Sequence, residues 1–240
     1  MGRNVLIIGA SGGIGSAVAK QLAGDNYQLI LHYNQNKQAM FETRTRINEE
    51  AILMAIQADL SEPGGIDDLI SEMVFPVDAI IFAGGTAHYG LFQEMAETDM
   101  DTMLALHVKA PWLITKRLLP AMVQKKQGRI IFITSVWGES GAANEVVYSS
   151  VKGAQNSFVK ALAKETAPSG IAVNAVSPGF IETKMNEVLQ TEEKEQIIHD
   201  IPANRAGTPE DVAHTVGFLM SEHADYIHGE IIHVSGGWRS

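Results

Sequence analysis

Apolar residues along the chain gather in short runs rich in β-branched side chains, separated by longer stretches in which they recur at helical spacing. The short runs are Val5–Ile8, Leu29–Leu31, Ile52–Ile56, Ala79–Phe82, Ile130–Thr134, Val173–Val176 and Ile231–Val234, which predict seven strands. Between them Ile14–Ala23, Gln38–Glu49, Ile66–Met73, Asp99–Val123, Tyr148–Ala167 and Pro209–Met220 predict helices. Strand alternating with helix implies a parallel sheet, because right-handed crossovers set helices on both faces. No repeat, low-complexity tract or linker divides residues 1–240, so one doubly wound domain is expected. The polar, Glu-rich segment at about 181–204 lacks an apolar stripe and reads either as a lid or as a solvated helical excursion.

Charge narrows the partners. With 18 basic against 28 acidic side chains, the formal charge is −10, and the short run Lys125, Lys126, Arg129 is no basic patch. A nucleic-acid partner is not expected. The absence of cysteine excludes disulfides, thiolate nucleophiles and cysteine-ligated metals, and no metal site is expected. Met1-Gly2-Arg3-Asn4 leads directly into an apolar strand, and no run approaches the roughly 20 apolar residues of a membrane span. The expectation is a soluble cytoplasmic protein with no membrane partner.

Gly9-Ala10-Ser11-Gly12-Gly13-Ile14-Gly15 sits between the first strand and the first helix, a G-x-x-x-G-x-G spacing. Glycines in this setting permit a sharp turn and close backbone approach to a pyrophosphate, while the helix amino terminus offers unpaired N–H donors. The chain is thereby expected to be a Rossmann-type α/β fold that binds a dinucleotide. After the second strand comes His32-Tyr33-Asn34-Gln35-Asn36-Lys37, with no carboxylate to repel a 2′-phosphate and with Lys37 nearby, which favours NADP over NAD. Asp59, after the third strand, has two open readings: an acceptor for the adenine amino group, or a turn and cap residue before Ser61-Glu62-Pro63-Gly64.

Tyr148 and Lys152 stand four residues apart at the start of a helical segment, on one face. A phenol titrates near pH 10, and a nearby ammonium favours its ionised form, so Lys152 is expected to lower the Tyr148 pKa. Ser135, thirteen residues before Tyr148, ends an apolar strand at the carboxyl edge where open α/β sheets bind ligands. Its hydroxyl either bonds a substrate carbonyl that Tyr148 protonates, or caps a turn.

Together these residues resemble the short-chain dehydrogenase/reductase family over essentially the whole chain. Gly9, Gly13 and Gly15 match its cofactor turn, Ser135, Tyr148 and Lys152 its active-site spacing, and Pro178-Gly179-Phe180-Ile181-Glu182-Thr183 the segment over the nicotinamide. The resemblance implies NADP(H) held by Gly9, Ser11, Gly12, Gly13, Ile14, Gly15, Tyr33, Asn34, Lys37, Asp59, Leu60, Ala83, Gly84, Gly85, Tyr148, Lys152, Pro178, Gly179, Ile181 and Thr183. It also implies hydride transfer from the nicotinamide as Tyr148 protonates the oxygen, and a homotetramer built on the long helices.

Two positions depart from the family pattern. Phe82-Ala83-Gly84-Gly85 stands where the family has Asn-Asn-Ala-Gly, and His107 stands where an asparagine of the fourth helix holds a proton-relay water. His107 either relays protons or is a hydrogen-bonded structural residue.

Within the family the chain resembles the 3-oxoacyl-[acyl-carrier-protein] reductases of fatty acid biosynthesis. Their two carrier-docking arginines fall here at Lys126 and Ser169, one positive charge fewer. It also resembles the bacterial branch that reduces the 5-aminopentanone group on elongation factor P, through His32-Tyr33-Asn34, His107 and Ser135-Val136-Trp137-Gly138-Glu139. Trp137, Glu139, His88 and Tyr89 are candidate substrate-side residues, with core packing or loop exposure as the other reading. A catalytically idle NADP-binding sensor or interaction protein is the alternative of a different class.

Overall fold

The computed structural model describes residues 3–184 and 190–238. Seven parallel strands form one sheet: β1 Asn4–Ile8, β2 Gln28–Tyr33, β3 Ile52–Gln57, β4 Ala79–Phe82, β5 Gly128–Ile133, β6 Ile171–Pro178 and β7 Ile231–Val234. Their spatial order is β3-β2-β1-β4-β5-β6-β7, so the winding direction reverses between β1 and β4. That reversal opens a crevice at the carboxyl edge of the sheet.

Burial of both faces explains why the strands carry unbroken apolar runs. Along β1, Val5 and Ile7 join one core layer while Leu6 and Ile8 join the other, and β4 and β5 alternate likewise. The first layer is closed by α1 (Gly13–Gly24) and α9 (Pro209–Met220), which contribute Val18, Leu22, Val212, Val216 and Leu219. The second is closed by α3 (Gly65–Glu72), α5 (Ala110–Lys125) and α7 (Val146–Thr166), through Leu69, Ile114, Met122, Val159 and Leu162.

Three stretches differ from their sequence reading. The helix expected over 38–49 is α2, Lys37–Thr45, after which Glu49–Ala51 form a short 3-10 turn leading into β3. The single helix expected over 99–123 is two, α4 (Glu97–Leu104) and α5, joined by a π-helical turn at Ala105–Lys109. Pro111 has no N–H to give the carbonyl four residues back, which belongs to His107, and the Gln155 side chain of α7 donates to that carbonyl instead at 2.7 Å. The segment read as a lid or excursion contains α8, Thr191–Asp200, started by a capping box between Gln190 and Glu193. Ile197 and Ile198 pack with Phe180, Ile201, Ala206 and Trp238. Residues 185–189 of that segment lie outside the described residues. Between β5 and α7 lies the short helix α6, Trp137–Ser140.

Candidate active site

The turn after β1, the turn after β4 and the end of β5 all meet at the crevice. Gly9 has φ +82° and lies so close to the β4 turn that a Cβ there would sit 2.4 Å from the Gly84 Cα. At Gly15, a Cβ would meet the Gly9 carbonyl oxygen at 2.2 Å, so the turn folds directly onto the first turn of α1. That helix begins after Gly12, with no side chain capping its amino terminus and no acid in its first turn. Its N–H groups remain available to an anion. Thr183 and Pro209 border Gly13, which brings the 178–183 segment over the same turn, and Ile181 is bridged to Gly207.

His32 secures the turn from below. Its buried ring accepts from the Gly9 N–H at Nδ1 (3.3 Å) and donates from Nε2 to the Ala58 carbonyl (2.9 Å), tying β1 to the ends of β2 and β3. Burial lowers its pKa, so the ring is neutral and both bonds are kept.

Of the two readings of Asp59, the turn is the one on display: its carboxylate accepts from the Ser61 N–H and hydroxyl and from the Asn34 amide. The Ser61 hydroxyl, first among these, holds its pKa low. Tyr33 ends β2 and is partly covered, and the buried Leu60 follows Asp59. Lys37 is exposed at the first turn of α2, where no acid accompanies it. A cation there opposes the helix dipole, a cost removed when an anion such as a 2′-phosphate sits between them.

Ser135 lies just past β5, with its hydroxyl near enough to the Tyr148 phenol to favour the ionised form. Tyr148 and Lys152 project from one face of α7, with the Lys152 Nζ 5.6 Å from the phenol ring centroid. That ammonium donates to the Ile133 carbonyl at 2.8 Å. Burial brings the Lys152 pKa down to about 7. The expected lowering of Tyr148 does not hold here: burial first, and the Glu145 carboxylate second, push the phenol upward, against the nearby Ser135 hydroxyl. A phenol that keeps its proton at neutral pH suits a proton donor.

His107 lies on the π turn and is buried against the same tyrosine. Its Nε2 donates to the Thr86 carbonyl at 2.8 Å, and burial, then the Lys152 charge, lowers its pKa to about 3. An imidazolium relay at neutral pH is therefore not available to it. Gly85 makes room for this ring, since a Cβ there would lie 2.1 Å from the His107 Cε1.

The substrate-side candidates divide. The Trp137 backbone N–H donates to the Ser135 Oγ at 3.2 Å, and its indole stands edge-on to Trp238. Glu139 is instead turned toward β7, 2.7 Å from the His233 Nε2. His88 and Tyr89 are exposed on the loop after β4, which Asn144 clasps by donating to the Tyr89 hydroxyl and accepting from the Gly90 N–H. Thr86, Gln155 and Glu145 were not among the expected residues. Only Glu145 left a trace in the sequence, a carboxylate three positions before Tyr148.

Residues 9–239 match the family model described as Enoyl-(Acyl carrier protein) reductase. The chain belongs to this family, the short-chain dehydrogenases/reductases. It is similar to the uncharacterized oxidoreductase YmfI of Bacillus subtilis, with 46% identity over 99% of each chain. The 3-oxoacyl-[acyl-carrier-protein] reductase FabG of Aquifex aeolicus is 36% identical over 98% of this chain and 97% of its own. Among solved structures, a 3-oxoacyl (acyl-carrier-protein) reductase of Agrobacterium tumefaciens with NADP bound superposes with a TM-score of 0.91 at 28% identity, covering 99% of this chain and 94% of the other. The chain is an oxidoreductase of this family, and among its described residues no helix is long and apolar enough to cross a membrane.

Proposed function

We propose that this oxidoreductase is a cytoplasmic, NADPH-dependent reductase of ketones, acting in the manner of the 3-oxoacyl-[acyl-carrier-protein] reductases. The observation that carries the reading is the meeting of Ser135, Tyr148 and Lys152 beside the Gly9–Gly15 turn. The residues fit the dinucleotide: the glycine turn leaves a cradle that side chains would fill, the α1 amino terminus is uncapped, and Lys37 stands unaccompanied by acid. NADPH, when bound, supplies the hydride that the carbonyl carbon takes. Ser135 donates a hydrogen bond to the carbonyl oxygen, and Tyr148 passes its proton to that oxygen as the C–O double bond becomes single. The phenolate left behind is stabilised by Ser135 and by the Lys152 ammonium, and the proton is replaced from solvent.

A second reading, reduction of the 5-aminopentanone group on elongation factor P, is favoured by two observations. The Glu145 carboxylate lies beside Tyr148, and Ser169 leaves the carrier-docking face one charge short. The idle sensor is disfavoured by the retention of Ser135, Tyr148 and Lys152 together, because binding a dinucleotide needs no phenol at that spacing. NADPH oxidation with a 3-oxoacyl thioester and with aminopentanone-modified elongation factor P tests all three. Turnover of the thioester supports the first reading, turnover of the modified factor alone the second, and turnover of neither, with NADPH still bound, the sensor. The proposed assembly is a homotetramer through α5 and α7, where Trp112 is 46% exposed beside Phe158, and light scattering reads it directly.

A further inference from the structure

Ser135 is followed by α6, a helix of a single turn that has a glycine, Gly138, inside it and no side chain capping its start. One turn does not hold its shape alone, because the cost of nucleating a helix is not recovered over so few residues. The conformation of α6 is therefore set by what it touches. Its entry is fixed by the Val136 N–H, which donates to the Pro178 carbonyl at 3.0 Å. One side is fixed by Gly138, where a Cβ would sit 2.8 Å from the Lys152 carbonyl carbon. Two further contacts reach β7 and the loop after it: Glu139 lies 2.7 Å from the His233 Nε2, and the Trp137 indole stands edge-on to Trp238 with ring centroids 5.0 Å apart.

Trp238 is itself firmly seated. After β7 the chain turns through Gly236 and Gly237, both at positive φ, and lies along residues 201–203, where the Ala203 N–H donates to the Gly236 carbonyl at 3.0 Å. The Trp238 N–H donates to the Ser235 carbonyl, and the ring packs against the cluster of Phe180, Ile201 and Ala206. A partly buried ring held in this way offers Trp137 a fixed surface.

Trp137 passes that support to Ser135, since its backbone N–H donates to the Ser135 Oγ at 3.2 Å. A hydroxyl has one hydrogen to give and cannot aim it at a group that is itself donating. The Trp137 N–H thus turns the Ser135 O–H away from α6 and leaves it for an acceptor in the crevice. We infer that Trp238 is a positioning residue of the reaction: through the Trp137 ring it holds the Trp137 N–H against Ser135, and so aims the Ser135 hydroxyl at the substrate carbonyl. The inference rests on the ketone-reductase reading above and adds to it a residue that acts through another.

The test is a double-variant cycle of Trp238→Ala with Ser135→Ala, read with NADPH and the better substrate of a 3-oxoacyl thioester and a vicinal diketone. Ser135→Ala should lower kcat about a hundredfold, since it removes a donor to the developing oxyanion. Trp238→Ala should lower kcat about tenfold when Ser135 is present, the loss expected of a donor misaimed but not removed, with the Kd for NADPH within about twofold of wild type. In the Ser135→Ala background the same substitution should change kcat by less than about twofold, because no hydroxyl is left to aim. Trp238→Phe, which keeps an aromatic edge against Trp137, should recover most of the loss.

A tenfold loss that persists without Ser135 overturns the inference, and so does a rise in KM with kcat unchanged, which would make Trp238 a wall of the substrate pocket. Either result leaves ketone reduction intact. A wild type that binds NADPH and reduces neither ketone overturns both together. The ring pair is also read without turnover: two indoles this close give an exciton couplet in far-ultraviolet circular dichroism, which Trp137→Phe and Trp238→Phe should each abolish. A wild-type spectrum without the couplet overturns the inference. If Trp238→Ala fails to bind NADPH, Trp238→Leu, which refills the Phe180 cluster without an aromatic edge, takes its place in the cycle with the same expected results.

Discussion

The imidazole of His107 meets the ring of Tyr148 edge-on, with centroids 5.7 Å apart and planes at 90°. Its Nε2–H is already committed to Thr86, so the ring is a fixed neutral wall behind the proton donor. The unfolded imidazole titrates near 6.5 and the folded one at about 3, so the unfolded chain binds the extra proton between those values. The stability His107 contributes is thus fully present above pH 6.5 and is lost as the pH falls toward 3. His32 acts in the same direction. Urea midpoints measured from about pH 7 down to about pH 4.5 should fall less steeply in His107→Asn than in wild type, while the pH profile of kcat keeps its shape. Parallel slopes would show that this ring is not the neutral group described.

Lys152 depends on pH in the same direction as His107 but over a higher range. Its pKa is lowered from 10.5 to about 7, so its burial is without penalty above 10.5 and fully unfavourable below 7. Lys152→Met, which fills the same space without charge, should raise stability by about 1–3 kcal/mol near pH 6, net of the lost bond to Ile133, with a smaller gain near pH 9. The same variant should lose about a hundredfold or more in ketone reduction. Calorimetry at the two pH values and NADPH turnover measure the trade.

Gly85 and His107 share one space. Gly85→Ala should destabilise by about 1–3 kcal/mol, because its methyl would overlap the imidazole. In the Gly85→Ala, His107→Ala double variant the overlap is gone, and the two effects should fall short of additivity by about 1 kcal/mol or more. Additive unfolding free energies would place the cost of the alanine elsewhere.

Lys37 tests the cofactor preference separately from the chemistry. Lys37→Ala should raise the KM for NADPH about fivefold, leave that for NADH near its wild-type value, and weaken the salt dependence of NADPH binding. Equal effects on both cofactors would remove Lys37 from the 2′-phosphate.

The seven strands were legible because both faces of the sheet are buried, which leaves unbroken apolar runs such as Ile130–Ile133 that polar neighbours delimit. The cofactor turn and the Tyr148–Lys152 pair were legible because each is local: a glycine spacing and a helical repeat. What escaped depends on distant partners. Ala105–Lys109 has ordinary helical composition, and its π turn is completed by Gln155, 48 residues from His107. The pairing of Glu139 with His233, 94 residues away, has no counterpart in local spacing. The direction of the Tyr148 shift also reversed, since spacing reveals that Lys152 is near but not that burial outweighs it.

The π turn has one more consequence. Each helical residue advances the chain by about 100°, so the extra residue at Ala105–Lys109 acts as a phase offset between α4 and α5. A deletion of a single residue there would yield a more regular helix and a misaligned protein: Met103, now packed with Val108 and Val151 beneath the active site, would rotate out of step with α7. Local regularity and catalytic alignment are in opposition at this point of the chain, and the fold has settled for alignment.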